Sequence, residues 1–157
     1  MQSITRYGHK ADVALSMWVK LSRASTAFYR ETAEHIRTFG LTMAQFGVLE
    51  VLGHKGPLTL GELCHKGLVS GGNMTVVVDN LELDGLVERH RSTTDRRVIE
   101  VQLTTKGKRL FERIFPEHAE HVAGLASVLS EGEQRRLGSL LKKLGTRAVE
   151  KSRQPQS

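Results

Sequence analysis

The chain has 157 residues, 39% of them hydrophobic, which is enough for one soluble domain with a substantial core. Its 23 Lys and Arg against 17 Asp and Glu give a net charge of +6, which favours an anionic partner, nucleic acid first. A single cysteine excludes an internal disulfide framework, and no apolar run approaches the roughly 18 residues that span a membrane. With no apolar leader near its N-terminus, the chain is expected to be cytoplasmic, without membrane contact.

A long amphipathic helix is predicted over residues 11–38, followed by Gly40. Its apolar stripe is longer than one small core requires, so part of it is expected to pack against another helix or another chain. The stripe consists of Ala14, Met17, Trp18, Leu21, Ala24, Phe28 and Ile36.

The next helix is predicted from a capping box, in which the first and fourth residues exchange side-chain and backbone hydrogen bonds. Thr42-Met-Ala-Gln45 has this form, and the helix is expected to stop at Gly53. A turn follows at Gly56-Pro57. The apolar positions of this helix are Phe46, Leu49 and Leu52.

Two short helices are predicted next. The first begins at the capping box Thr59-Leu-Gly-Glu62 and ends at Gly67, and the second begins near Ser70 and ends at Gly85. A helix, a glycine-containing turn and a second helix form the unit that lays its second helix in the major groove of DNA. The second helix has an apolar stripe of Met74, Val77, Val78 and Leu81.

A β-hairpin with a cationic tip follows. Residues 86–91 and 98–103 are β-prone, and the polar turn between them lies in a segment, Arg89–Arg97, that has four Arg and one Asp, a net charge of +3. Like charges at one tip repel unless a polyanion meets them, although a solvated tip is the alternative. With the helix pair, this hairpin predicts a winged helix-turn-helix.

The chain then returns to helix from Thr104 or Thr105, with Pro116 expected to kink or restart the helix. A third capping box, Ser130-Glu-Gly-Glu133, predicts the last helix. The apolar stripes are Leu110, Phe111, Ile114, Phe115, Val122, Leu125 and Val128 before that box, and Leu137, Leu140, Leu141, Leu144 and Ala148 after it.

Two segments resemble the MarR (multiple antibiotic resistance regulator) family. Asp95-Arg-Arg97 with Val101-Gln-Leu103-Thr104 and Gly107 is similar to that family's wing, and 79–87 is similar to its exit from the recognition helix. The resemblance implies a mainly α fold with a small β-hairpin (α+β), a winged helix-turn-helix with N- and C-terminal dimerisation helices. It also implies a homodimer, divided into residues 1–39 for dimerisation, 40–107 for DNA binding, and 108–157 for the long helix and C-terminal dimerisation helix.

Double-stranded DNA is therefore the expected partner. No Lys or Arg lies between Ser70 and Glu88, so the start of the second helix is expected to recognise bases with small polar groups. Asn73 would pair with adenine, and the alternative is that it only caps the helix. The resemblance implies that Arg97 enters the minor groove and that Asp95 braces the hairpin. The predicted DNA-binding set is Ser70, Gly72, Asn73, Met74, Thr75, Arg89, Arg91, Asp95, Arg96 and Arg97.

The resemblance also implies release from DNA by a small phenolic or acidic effector, held where the dimer helices meet the DNA-binding unit. The expected lining is Phe28, Tyr29, Phe46, Phe111 and Ile114, with ordinary core packing as the alternative for each. Cys64 is expected to be a small buried hydrophobe rather than a peroxide sensor. His118 and His121, with Glu117, Glu120 and His35, suggest a metal, but zinc needs three or four ligands, so no metal and no cofactor is expected.

The predicted function is that of a sequence-specific transcriptional regulator, a homodimeric repressor of a palindromic operator. No phosphate-binding loop or Ser-His-Asp arrangement suggests an enzyme. The alternatives are a non-sequence-specific architectural DNA-binding protein, a zinc-responsive regulator, and a protein-interaction module that uses the winged fold without DNA.

Overall fold

The computed structural model describes residues 7–66 and 74–152, with side chains up to residue 150. It confirms the mainly α fold with a small sheet. The elements within these ranges are α1 His9–Arg37, α2 Met43–Lys55, β1 Leu58–Thr59, α3 Leu60–Lys66, α4 Met74–Leu83, β2 Val87–Arg91, β3 Ile99–Leu103, α5 Thr105–Ala126 and α6 Glu131–Ser152. The chain divides into two compact units, one up to His121 and one from Val122. None of the described helices is long and apolar enough to cross a membrane.

The three predicted capping boxes are present. In Thr42–Gln45 the Gln45 N–H donates to Thr42 Oγ1 at 3.2 Å, and the Thr42 N–H donates to Gln45 Oε1 at 2.9 Å. The same reciprocal pair forms in Thr59–Glu62 and in Ser130–Glu133. Helix starts could be predicted here because all the bonding partners lie within four residues of one another.

The predicted end of α2 at Gly53 is wrong, since the helix continues to Lys55. Gly53 lies against the ring of Phe111, and a Cβ there would come within 2.5 Å of Phe111 Cε1. This glycine therefore allows α2 and α5 to approach closely. Gly56 ends the helix instead, with a positive φ of 79° that favours glycine.

The sheet has the order β1-β3-β2, with all pairs antiparallel. β1 was not predicted; it has two residues, and Leu58 pairs with Val101 of β3. On the other side of β3, Val101 pairs with Arg89 of β2. Val101 is fully buried, whereas Ile99, nearer the hairpin tip, is exposed.

Of the two alternatives for Pro116, a kink or a restart, the restart does not occur, because Pro116 lies inside α5. The expectation for Val128 needs correction. Val128 lies beyond the end of α5 and is 87% exposed, so it does not extend the apolar stripe.

The core of the first unit joins the end of α1 to the helix pair, the sheet and the first half of α5. It places α4 against α2 and β2, and so sets the position of the predicted DNA-binding helix. The most buried large side chains are Phe46, Ile36, Leu49, Leu63, Leu81, Ile114, Val78, Val87 and Val101.

Candidate nucleic-acid interface

The helix α4, called the reading helix below, has one buried and one exposed face. Its apolar stripe packs into the core as predicted, with Met74, Val78 and Leu81 buried and Val77 half-buried. The predicted contacts Ser70, Gly72 and Asn73 lie outside the described residues. The exposed positions within it are Thr75, Val76, Asp79, Asn80, Glu82 and Leu83.

Met74 lies in the core and not on the exposed face of the reading helix. The sequence predicts that Met74 contacts DNA, but its side chain is 5% exposed and belongs to the core cluster. A side chain packed in the core cannot reach a base edge without unpacking. Met74 therefore anchors the first described turn of the reading helix, and Thr75 beside it is exposed.

Arg89 joins the reading helix to β2. Its guanidinium lies 2.5 Å from Asp79 Oδ1 and also pairs with Glu82 Oε2, while its backbone N–H donates to Glu82 Oε1 at 3.1 Å. Burial lowers the pKa of Arg89, but the bonds to the two carboxylates outweigh this and raise it above the ordinary value. Because its side chain is only 24% exposed and both of its terminal nitrogens are bonded to carboxylates, Arg89 is placed to orient the two elements.

The wing, here β2, β3 and the residues 92–98 between them, exposes three other arginines. Arg91, Arg96 and Arg97 are exposed, and the side chain of Arg97 is 93% exposed. Arg91 Nη1 donates to the Arg96 carbonyl at 3.3 Å. These three cations are accessible to phosphate oxygens, which carry most of the affinity of DNA-binding proteins.

The wing turn is held by hydrogen bonds close to Asp95. Asp95 Oδ1 accepts from the Arg97 N–H at 3.0 Å, and the Asp95 carbonyl accepts from the Val98 N–H at 2.9 Å. Ser92, which the sequence analysis missed, is buried; its N–H donates to the Val98 carbonyl at 2.8 Å, and its Oγ lies 3.0 Å from Thr94 Oγ1. The turn therefore has a fixed geometry that presents Arg96 and Arg97 on its outer side.

The start of α5 is fixed to the end of the reading helix. The Thr104 hydroxyl donates to the Gly85 carbonyl at 2.7 Å, and the Lys106 ammonium donates to the Asp84 carbonyl at 2.6 Å. Gly107 lies directly on the backbone of Leu86, where a Cβ would come within 1.9 Å of the carbonyl oxygen. Gly107 of the sequence motif therefore has to be a glycine, because any side chain would collide with the backbone of Leu86.

The five residues expected to line an effector site differ in their burial. Phe46, Phe111 and Ile114 are buried in the first unit, whereas Phe28 and Tyr29 are exposed on α1. Cys64 is half-buried against the core. Among the residues that the structure describes, no group of three or more His, Cys, Asp or Glu is arranged to hold a metal ion.

A helix pair, an exposed reading helix and a hairpin with three exposed arginines define a winged helix-turn-helix DNA-binding protein. The MarR family model matches residues 39–98. The HTH-type transcriptional regulator MhqR of Bacillus subtilis (strain 168) is 41% identical over 135 residues, which cover 86% of this chain and 93% of MhqR. The chain belongs to the MarR family of transcriptional regulators, as its sequence motifs indicated.

Two further relatives are consistent with this family assignment. The HTH-type transcriptional repressor MdtR of Bacillus subtilis (strain 168) is 32% identical over 118 residues, covering 75% of this chain and 76% of MdtR. The solved structure of Bordetella bronchiseptica BpsR, described as showing a mechanism for regulation of DNA binding by 6-hydroxynicotinic acid, is 27% identical with a TM-score of 0.70. It covers 80% of this chain and 89% of the BpsR chain.

Proposed function

We propose that this regulator is a homodimeric repressor that binds a palindromic operator and leaves it when a small phenolic or acidic effector binds. The observation that carries the DNA-binding part is the exposure of Arg91, Arg96 and Arg97 on a wing fixed beside the reading helix. The name of MdtR, a repressor, supports the direction of regulation.

Dimerisation is supported by exposed apolar side chains on α1 and α6. A single soluble chain rarely exposes large apolar side chains in such numbers along two helices, and an apolar stripe at helical spacing is what a helix–helix interface buries. Residues 1–39 and 108–157 would then hold the dimer, while 40–107 bind DNA. The exposed side chains include Val13, Met17, Trp18, Leu137, Leu140, Leu141 and Leu144.

Contacts with DNA divide into two kinds. Arg91, Arg96 and Arg97 would meet phosphates or a narrow minor groove, and would supply affinity for any sequence. Asn73 and Thr75, with Ser70 and Gly72, would approach the major groove and distinguish bases. In a two-fold dimer the two half-sites lie about 10 bp apart, centre to centre.

Effector binding is supported by the small aromatic acid that regulates DNA binding in BpsR. Phe28, Tyr29, Phe46, Phe111 and Ile114 remain the proposed surroundings of the effector. Because three of these are buried, its entry would require the packing of α1, α2 and α5 to loosen. Such loosening is itself a means of moving the reading helix.

Selection of bound sequences from random duplex DNA tests this function. The expected result is a short palindrome, bound in preference to scrambled duplexes at physiological salt. Equal binding of all duplexes would indicate an architectural protein, and weak, salt-insensitive binding would indicate a protein-interaction module. A thermal-shift screen of phenolic and carboxylic acids, with Zn²⁺ included, then tests the effector class.

A further inference from the structure

Three histidines from two helices meet in the first unit, and we refer to them as the histidine cluster. The ring of His35 on α1 lies on the ring of His121 on α5, with centroids 4.1 Å apart and planes at 3°. His118, about one turn earlier on α5, has its ring centroid 6.1 Å from that of His35. Packing between α1 and α5 thus depends at this point on stacked imidazoles.

Each of these rings has a buried nitrogen without a hydrogen-bond partner among the described residues. The atoms are His35 Nε2, His118 Nδ1 and His121 Nε2. Apolar rings pack against two of them: Phe39 lies edge-on against His35 at 5.0 Å, and Phe46 of α2 lies 4.6 Å from His118. An imidazolium donates from both nitrogens, so a protonated ring here would bury a charged donor that has no acceptor.

Burial and the neighbouring imidazoles favour neutral rings in the cluster. Burial lowers the pKa of His118, and the rings of His35 and His121 lower it further. Burial also lowers the pKa of His35, as does His121, and the carboxylate of Glu117 only partly offsets this. The neighbouring charged residues Glu34, Arg37 and Glu120 are exposed to solvent, and α2 faces His118 with the apolar Phe46.

The geometry does not suit a metal ion. Zinc ligands each aim one nitrogen at a common point about 2.0–2.1 Å away. The rings of His35 and His121 are instead parallel and meet face to face. This arrangement agrees with the lack of a metal-binding group among the described residues.

We propose that the histidine cluster is a proton-responsive contact between α1 and α5. In mildly acidic conditions a ring takes up a proton, the stack opens, and the change reaches the reading helix through Phe46 and the packing of α2 on α4. The effect of protonation on folding stability does not depend on the proposed function, whereas its effect on DNA affinity rests on that function.

The direction of the effect on stability follows from proton linkage. Histidines of the unfolded chain bind protons near their ordinary pKa of about 6.5, whereas His35 and His118 in the folded chain bind them only at lower pH. As the pH falls below about 6.5, the unfolded state therefore binds more protons and the free energy of unfolding decreases. The loss levels off once the pH is below the pKa values of the folded state.

The first test measures denaturant unfolding of the full chain from pH 7.5 to pH 5.0. His35→Gln and His118→Gln should each reduce the loss of stability with acidification. The control is His54→Gln, because His54 packs edge-on against Phe111 and Phe115 and has no imidazole ring against it in the described part of the chain. Identical pH dependence in the wild type and both cluster variants would overturn the proposal.

The second test measures operator affinity over the same pH range at fixed salt. Protonation of histidines elsewhere strengthens attraction to DNA in all variants, so the wild type is compared with His118→Gln. Between pH 7.5 and 5.5 the wild type should lose about 5-fold or more in affinity relative to the variant, the lower end of typical coupling between sites. If the ratio of wild-type affinity to His118→Gln affinity does not change with pH, the link between the histidine cluster and DNA binding is wrong. If no duplex binds at any pH, the proposed function fails, and the folding experiment alone decides the proton-responsive contact.

Two further measurements keep the proposal testable if a variant does not fold. NMR titration of the wild-type histidine rings should show His35 and His118 taking up protons below pH 6.5; uptake at or above that value contradicts the proposal. A Zn²⁺-induced rise in melting temperature at pH 7.5, lost in His118→Gln, would identify a metal site and overturn it.

Discussion

Arg89 of the wing strand β2 forms an ion pair of 2.5 Å with Asp79 of the reading helix, and the same guanidinium pairs with Glu82 one turn later. Arg89 therefore helps to fix the angle between the reading helix and the hairpin, together with the packing of α4 on β2. Its side chain is only 24% exposed, so solvent screens these bonds less than those of a surface pair.

Arg89→Ala is expected to lower the free energy of unfolding by about 2 kcal/mol, because hydrogen bonds to charged groups are lost and two carboxylates remain close together. Arg91→Ala is the control, since Arg91 is exposed and its change should stay within about 0.5 kcal/mol. Denaturant unfolding gives both values. Operator binding by Arg89→Ala should weaken with no change in salt dependence, whereas a reduced salt slope would show that Arg89 contacts phosphate.

A double-mutant cycle tests the pair itself. Asp79→Ala and Arg89→Ala should couple by about 0.5–3 kcal/mol, the range for residues in one ion-pair network. Additive effects would mean that the ion pair makes no net contribution to stability.

Gly107→Ala is expected to destabilise the protein by about 1–3 kcal/mol, as overpacking does, because the added methyl group would meet the Leu86 carbonyl at 1.9 Å. Backbone, unlike a flexible side chain, cannot rotate away from it. The matched control is Gly124→Ala in the same helix, where nothing lies within 4 Å of the added Cβ. That change should stabilise by about 0.5–1 kcal/mol through helix propensity. Thermal or denaturant unfolding of the two variants would show opposite signs.

Local patterns predicted the elements of this fold well, and tertiary contacts were beyond them. The capping boxes at Thr42 and Thr59 and the stripe of the reading helix involve near neighbours in sequence, and each is present. The bonds of Arg89 connect residues seven and ten positions apart in different elements, and no periodicity indicates them. From the sequence alone, the charge of Arg89 is therefore predicted to contribute to DNA binding.

Three other tertiary contacts also left no local signal in the sequence. Gly53 was interpreted as a helix end because close packing against Phe111 leaves no local signal. β1 was missed because two residues that pair with β3 through the backbone form no pattern. The sequence suggests His35, His118 and His121 only as members of a metal site, and the stacking of His35 on His121 could not be derived from it.

Dimerisation through α6 is tested by placing a charge in its apolar stripe. Leu140→Asp should shift the protein from dimer to monomer or aggregate at micromolar concentration, since a carboxylate would be buried without a partner. Thr146→Asp introduces the same charge at an exposed position outside that stripe and should leave the dimer intact. Sedimentation or light scattering gives the masses. A dimeric Leu140→Asp protein would contradict the proposed interface.

Arg97→Ala is expected to weaken binding to all duplexes and to lower the salt slope by roughly 1 for each DNA-bound wing. Its side chain is 93% exposed, and its one weak ion pair, 3.4 Å to Asp95, leaves most of its donors available. A cation displaces condensed counterions wherever it meets phosphate, so operator and scrambled duplexes should lose affinity equally. An unchanged salt dependence would place the wing away from the DNA.

Asn73→Ala should reduce sequence preference rather than general affinity for DNA. An amide recognises a donor–acceptor pair that only adenine presents in the major groove, so its loss should relax preference at one base pair in each half-site. The expected cost is about 1–3 kcal/mol for the operator, with little change for a scrambled duplex and little change in salt slope. The measurement is affinity for both duplexes over a salt series, beside Arg97→Ala. If operator and scrambled duplexes weaken equally, Asn73 does not recognise a base, and capping of the reading helix is its role.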